Sequence, residues 1–94
     1  MAEIDVQRQD DDTFAVAVRE GGSRSNHTVT LDDEYYRSLT GGAGSKGEGS
    51  KEDLIRRSFE FLLQRESKES ILASFHLEVI ARYFPEYERV MQRG

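Results

Sequence analysis

Residues 50–66, SKEDLIRRSFEFLLQRE, constrain the fold more than any other stretch. Set at about 100° per residue, Leu54, Ile55, Ser58, Phe59, Phe61, Leu62 and Leu63 fill a continuous arc of roughly 200°. Arg56, Arg57, Glu60 and Gln64 take most of the remaining circumference. A surface helix needs an apolar stripe only a little over about 100° wide. This helix therefore has to be covered on two sides, and the rest of the chain must supply both covers. Ser50 is placed to cap the first turn, with Asp53 returning a carboxylate to it. Glu52–Arg56 and Asp53–Arg57 are acid-before-base pairs, each worth about 0.3–0.5 kcal/mol on an exposed face. Ser58 lies inside the apolar arc. A small residue there allows close approach of another element, and its hydroxyl can bond back to the Leu54 carbonyl. A nucleophilic role for Ser58 would need a histidine–acid pair, and the sequence sets none beside it.

The 94 residues are enough for one domain with a modest core. The net charge of −5 argues against nucleic-acid binding by bulk electrostatics, which needs a surplus of Lys and Arg, although a local basic patch remains open. Cysteine is absent, which removes disulfides, thiolate metal sites and cysteine nucleophiles and suits a cytoplasmic protein. The N-terminus has no basic region followed by an apolar run, so no signal peptide is expected. No apolar run approaches the roughly 18 residues of a membrane span.

The first third alternates like strands. Ile4 and Val6 alternate with acids, and Phe14, Val16 and Val18 face away from Ala15 and Ala17. His27, Val29 and Leu31 form a third alternating run after a break over residues 21–26. Residues 2–31 thus predict a three-stranded antiparallel sheet with one apolar face. Asp10, Asp11 and Asp12 read as a solvated turn, because calcium loops space their ligands at alternate positions and end on a glutamate. Residues 32–39 predict a two-turn helix with Asp32 at its cap and Tyr35 or Tyr36 and Leu39 toward the sheet. Residues 40–49 hold five of the eight glycines. They approach a phosphate-loop pattern, but Ser50 and Lys51 stand in the wrong order and a helix precedes them, so a flexible linker is expected.

Residues 50–93 read as helical throughout. After the central helix come short helices over 67–75 and 76–84, and Pro85 starts a last one with Tyr87, Val90 and Met91 inward. The two histidines, His27 and His76, have no set of partners at metal-ligand spacing, and Glu60 and Glu78 read as polar-face residues. The pair of short helices over 67–84 has the outline of a helix-turn-helix, with Arg82 on the second helix but also Glu78. Phe75, Tyr83, Phe84 and Tyr87 crowd the C-terminal part, more aromatics than the second cover of the central helix needs.

The strings SFEFLLQRE, SILASF and IARYFPEY resemble the tail of a group of small prokaryotic proteins of unknown function with the pattern FEFLLxRE…SIL…F…I…YFPEY after a short β-rich start. The resemblance covers about the C-terminal third and implies no activity, cofactor or catalytic residue. The order of a small sheet followed by helices is similar to antitoxins of the HicB type, in architecture alone.

The expected protein is α+β: a three-stranded antiparallel sheet, a central helix across its apolar face, and a C-terminal cluster of short helices on the helix's other side. The expected function is a non-enzymatic protein-interaction module, with no catalytic, cofactor-binding or metal residues and no evident small-molecule ligand. Its partner is another protein or a second copy of the chain, met through the aromatic helices or the sheet edge, with Val79, Arg82, Tyr83 and Tyr87 as partner-binding residues. The alternative is a small DNA-binding or antitoxin-like regulator built on the 67–84 helical pair.

Overall fold

A computed structural model describes residues 3–40 and 51–93. In chain order these form β1 (Glu3–Arg8), β2 (Thr13–Glu20), β3 (Ser23–Thr30), α1 (Asp33–Thr40), α2 (Lys51–Leu63), β4 (Ser74–His76), α3 (Val79–Tyr83) and α4 (Tyr87–Arg93). The expected flexible Gly-rich loop and the Ser50 cap lie outside the described residues.

The antiparallel meander forms as the alternation predicts. Val6 pairs with Val16 and Ile4 with Val18, and Phe14 stands opposite Val29. The third strand starts four residues earlier than expected, at Ser23. Gly21 and Gly22 both adopt positive φ, 61° and 84°. They make the two-residue hairpin turn that matches the strand twist, so pairing continues through Arg24 and Ser25 instead of breaking.

The α+β class holds, but the sheet has four strands and is mixed. β4 adds beside β3 and runs parallel to it, with Phe75 opposite Val29. The helix expected over residues 67–75 is absent: a single 3-10 turn, Lys68–Ser70, is followed by extended chain. Two groups on β3 hold that segment straight. The Thr28 amide donates to the Ala73 carbonyl at 2.8 Å, and the His27 ring reaches the Leu72 carbonyl from Nδ1 at 2.8 Å. That carbonyl only accepts, so Nδ1 carries a proton and donates. With extended chain in place of the helix over 67–75, the helical pair over 67–84 does not form, and the regulator alternative loses the element on which it rested.

α2 lies between two covers. Leu54, Ile55, Ser58, Phe59, Phe61 and Leu62 are buried, as the wide arc requires, and Leu63 is half-buried. Phe59 faces the sheet, 5.3 Å from the His27 ring and 6.1 Å from Phe75 between centroids. Phe61 faces the C-terminal segment, edge-on to Phe84 at 5.8 Å and Tyr87 at 5.3 Å. The helix ends at Leu63 rather than residue 66. There the Arg65 guanidinium donates to the Phe61 carbonyl at 3.1 Å and sits 3.7 Å above the Phe61 ring, closing the last turn.

α1 begins on the expected cap, the Tyr35 amide donating to Asp32 Oδ1 at 2.7 Å. Leu39 enters the core, but the Tyr35 hydroxyl turns to α4 and donates to Glu88 at 2.9 Å. On α2, Arg57 pairs with Asp53 as spacing predicts, whereas Glu52 reaches Arg8 on β1 at 3.3 Å.

The first residue of α2 is a buried lysine. Lys51 Nζ lies 2.6 Å from Asp33 Oδ1 and 3.2 Å from Asp12 Oδ1, and donates to the Asp11 carbonyl at 3.2 Å. The aspartate turn is therefore not simply solvated: its cation is the chain's own ammonium group, and one side chain ties the β1–β2 turn, α1 and α2 together. Asp33 is held below its ordinary 3.8 by the Lys51 hydrogen bond and charge. Burial alone would lower Lys51, but the bonds and charges of Asp33 and Asp12 outweigh it and raise the lysine above 10.5. The stability from Asp33 is present above 3.8 and lost as pH falls through its lowered value. That from Lys51 is complete below 10.5 and lost as pH rises through its raised value. The stability gap between the wild type and Lys51→Met, followed by thermal melts, is thus expected to be widest between these limits and to shrink at both ends. A gap that does not change with pH would mean the clamp contributes no charge interaction.

Candidate functional site

The C-terminal half closes over α2 incompletely. Between the end of α2, the chain leading into β4, and α3 runs an apolar groove of about 310 Å³. Leu62, Ile71, Phe75, Val79, Ile80 and Phe84 line it, with Leu72 and Tyr83 beside them. Ile71, Phe75, Ile80 and Leu62 are core side chains, so the floor is fixed by packing. Leu72 and Tyr83 are 50% and 68% exposed. They are two of the three large hydrophobics left exposed among the described residues, the third being Val90. The polar lining is sparse: Glu66 and Ser70.

The local sequence explains the shape. β4 runs extended over Ser74–His76, so Phe75 points in while Ser74 and His76 point out, and Leu72 is held at the rim by the bond from His27 to its own carbonyl. α3 is only five residues long, ending at Tyr83, and the extended backbone of Phe84 leads from it into Pro85. Such a short helix buries Ile80 on one side and leaves Tyr83 outside.

Of the four expected partner-binding residues, two line this groove, one is their neighbour in the chain and one is buried elsewhere. Val79 is half-buried in its wall, Tyr83 stands exposed at its rim, and Arg82 is exposed next to Tyr83. Tyr87 is a correction. It is fully buried, packed edge-on against Phe61, with its hydroxyl 2.6 Å from Ser58 Oγ. The gap left by a serine inside the apolar arc admits the phenol, and the two hydroxyls satisfy each other. Ser58 also donates to the Leu54 carbonyl at 2.8 Å, as its position in the helix predicts. Burial, only partly offset by the bond to Ser58, holds the Tyr87 hydroxyl protonated well above the usual phenol range. Val90, expected inward, is exposed.

Leu72 is the groove residue that sequence reasoning missed. The helix expected over residues 67–75 turns Leu72 inward with Ile71 and Phe75, and the alternation of Phe75 and Leu77 with Ser74 and His76 is too short to tell against it. His76, expected between two helices, lies exposed on β4, and His27 is buried between Ser25 and the Leu72 carbonyl. Among the described residues no group of three or more His, Asp or Glu side chains is placed to hold a metal ion, and no helix is long and apolar enough to cross a membrane. No protein-family model, curated protein or solved structure matches the chain, so the pattern of its tail rests on its residues alone.

Proposed function

We propose that the chain is a non-enzymatic, cytoplasmic protein-interaction module that receives an apolar side chain of another polypeptide in the groove beside β4 and α3. The observation that carries this reading is the exposure of Leu72 and Tyr83 on the rim of a groove whose floor is already core. Tyrosine on an otherwise charged surface is a residue that interfaces favour. The groove's volume of about 310 Å³ is at the small end for ligand pockets, which span about 300–1,000 Å³. Its rim consists of projecting side chains, and its few polar groups offer a metabolite little to orient it. A side chain presented from a larger surface fits such a site better than a free small molecule does.

Titration with N-acetyl-leucinamide, followed by amide chemical shifts, tests the site. The largest shifts are expected at Leu72, Val79 and Tyr83, with none from N-acetyl-lysinamide at equal concentration. Tyr83→Ala and Leu72→Ala should each weaken the leucine probe by about fivefold, the equivalent of ~1 kcal/mol of lost apolar contact. Shifts spread evenly over the surface, or unaffected by both substitutions, would refute the site.

A further inference from the structure

We infer that the polypeptide received at the groove is a second copy of this chain, joined by antiparallel pairing of β4 with β4 of the partner subunit. The inference rests on the docking role proposed above and names its partner.

The two edges of the sheet differ in chemistry. β1 carries Glu3, Asp5 and Arg8, and Arg8 is paired with Glu52 while Arg19 reaches Glu3 and Asp5. Charge of this kind is how sheets discourage added strands. β4 is Ser74-Phe75-His76, with no acid, lysine or arginine. Its ladder to β3 uses the carbonyl of Ala73, which accepts from Thr28, and the amide of Leu77, which donates to Thr30. Backbone direction alternates along a strand, so residues 73, 75 and 77 address β3, while the N–H and C=O groups of Ser74 and His76 point away from the sheet. Both residues are exposed.

That free edge is complementary to itself. A two-fold axis at Phe75 sets Ser74 opposite His76 of the partner subunit, and His76 opposite Ser74 of the partner subunit. Residues that point outward in this way form the pairs that exchange both backbone hydrogen bonds. The same axis brings the two grooves, each with its Leu72 and Tyr83, to one side of the joined sheet, so that the rim of one copy covers the other. The shortness of β4 selects the partner. Ordering a free peptide over so few residues costs about as much conformational entropy as its hydrogen bonds return. A second copy brings β4 already held by β3 and His27.

Sedimentation velocity and light scattering of the full chain across concentration test this. The expected result is a reversible dimer of twice the monomer mass. His76→Pro removes an outward N–H that β3 does not use, at an edge position where proline is tolerated. It should raise the dimer dissociation constant at least about tenfold, as should Tyr83→Glu. In the unaltered chain, exchange of the Ser74 and His76 amides should slow as concentration rises, which decides the matter even if a variant misfolds. A chain monomeric at its highest soluble concentration overturns the inference, and so does a dimer that His76→Pro leaves within about twofold. If N-acetyl-leucinamide still binds a monomeric chain, the groove stands and only its partner is wrong. If the dimer forms through β4 but the probe does not bind, the groove reading fails and the pairing stands.

Discussion

Phe59→Ala is expected to lower the free energy of unfolding by about 3–5 kcal/mol, the usual cost of emptying a large aromatic site in a core. Phe59 is fully buried, and its ring is the meeting point of α2, β3 and β4, tilted against both His27 and Phe75. The neighbours cannot collapse into the space easily, because His27 is held by Ser25 on one side and by the Leu72 carbonyl on the other. Domains of this size are stable by about 5–15 kcal/mol in total, so the variant is expected to be partly unfolded at moderate temperature. Urea unfolding followed by far-ultraviolet circular dichroism measures the loss. Amide exchange at Phe75 and Leu77 should rise more than at Val16, because β4 is a three-residue edge strand packed on Phe59, whereas Val16 lies in β2, paired on both sides. A loss below about 0.5 kcal/mol, within the range of ordinary surface changes, would mean that the sheet side of α2 is not packed as described.

Tyr87 gives the second large effect, and two substitutions separate its parts. Tyr87→Ala removes the ring that α4 places against Phe61 and should cost about 3–5 kcal/mol. Tyr87→Phe keeps the ring and removes only the hydroxyl bonded to Ser58. Ser58 retains its bond to the Leu54 carbonyl, so no buried hydroxyl is left without a partner and the cost should be about 1 kcal/mol. Combining Ser58→Ala with Tyr87→Phe should cost less than the sum of the two single changes, since the second removes a bond already lost. Equal losses from Tyr87→Phe and Tyr87→Ala would show that the hydroxyl, not the packing, holds α4 to α2.

Both experiments address the feature most plainly written in the sequence. An apolar arc of about 200° on residues 50–66 demands two covers, and Phe59 and Phe61 meet two different covers. The strict alternation of Phe14, Val16 and Val18 likewise suffices for a strand with one buried face. Residues 71–76 were another matter. Three residues are too few to show a period, and Ile71, Leu72 and Phe75 suit a helix face as well as a strand. What makes residues 74–76 a strand lies more than forty residues away, in the edge that β3 offers and the His27 ring. Tyr87 was ambiguous for a related reason: a tyrosine four residues after a tyrosine and three after a phenylalanine carries no mark of which ring goes inside. Ser58 settles it, through a gap and a hydroxyl partner that only the approach of α4 brings within reach.

From residue order alone come the α+β class, the meander and the doubly covered helix, because each depends on periodicity within one segment, and periodicity is a local property. The fourth strand, the Lys51 clamp and the position of the groove had to wait for the folded chain. Each joins groups far apart in sequence, and which distant groups meet is set by how the layers close on one another, not by the pattern of any one of them.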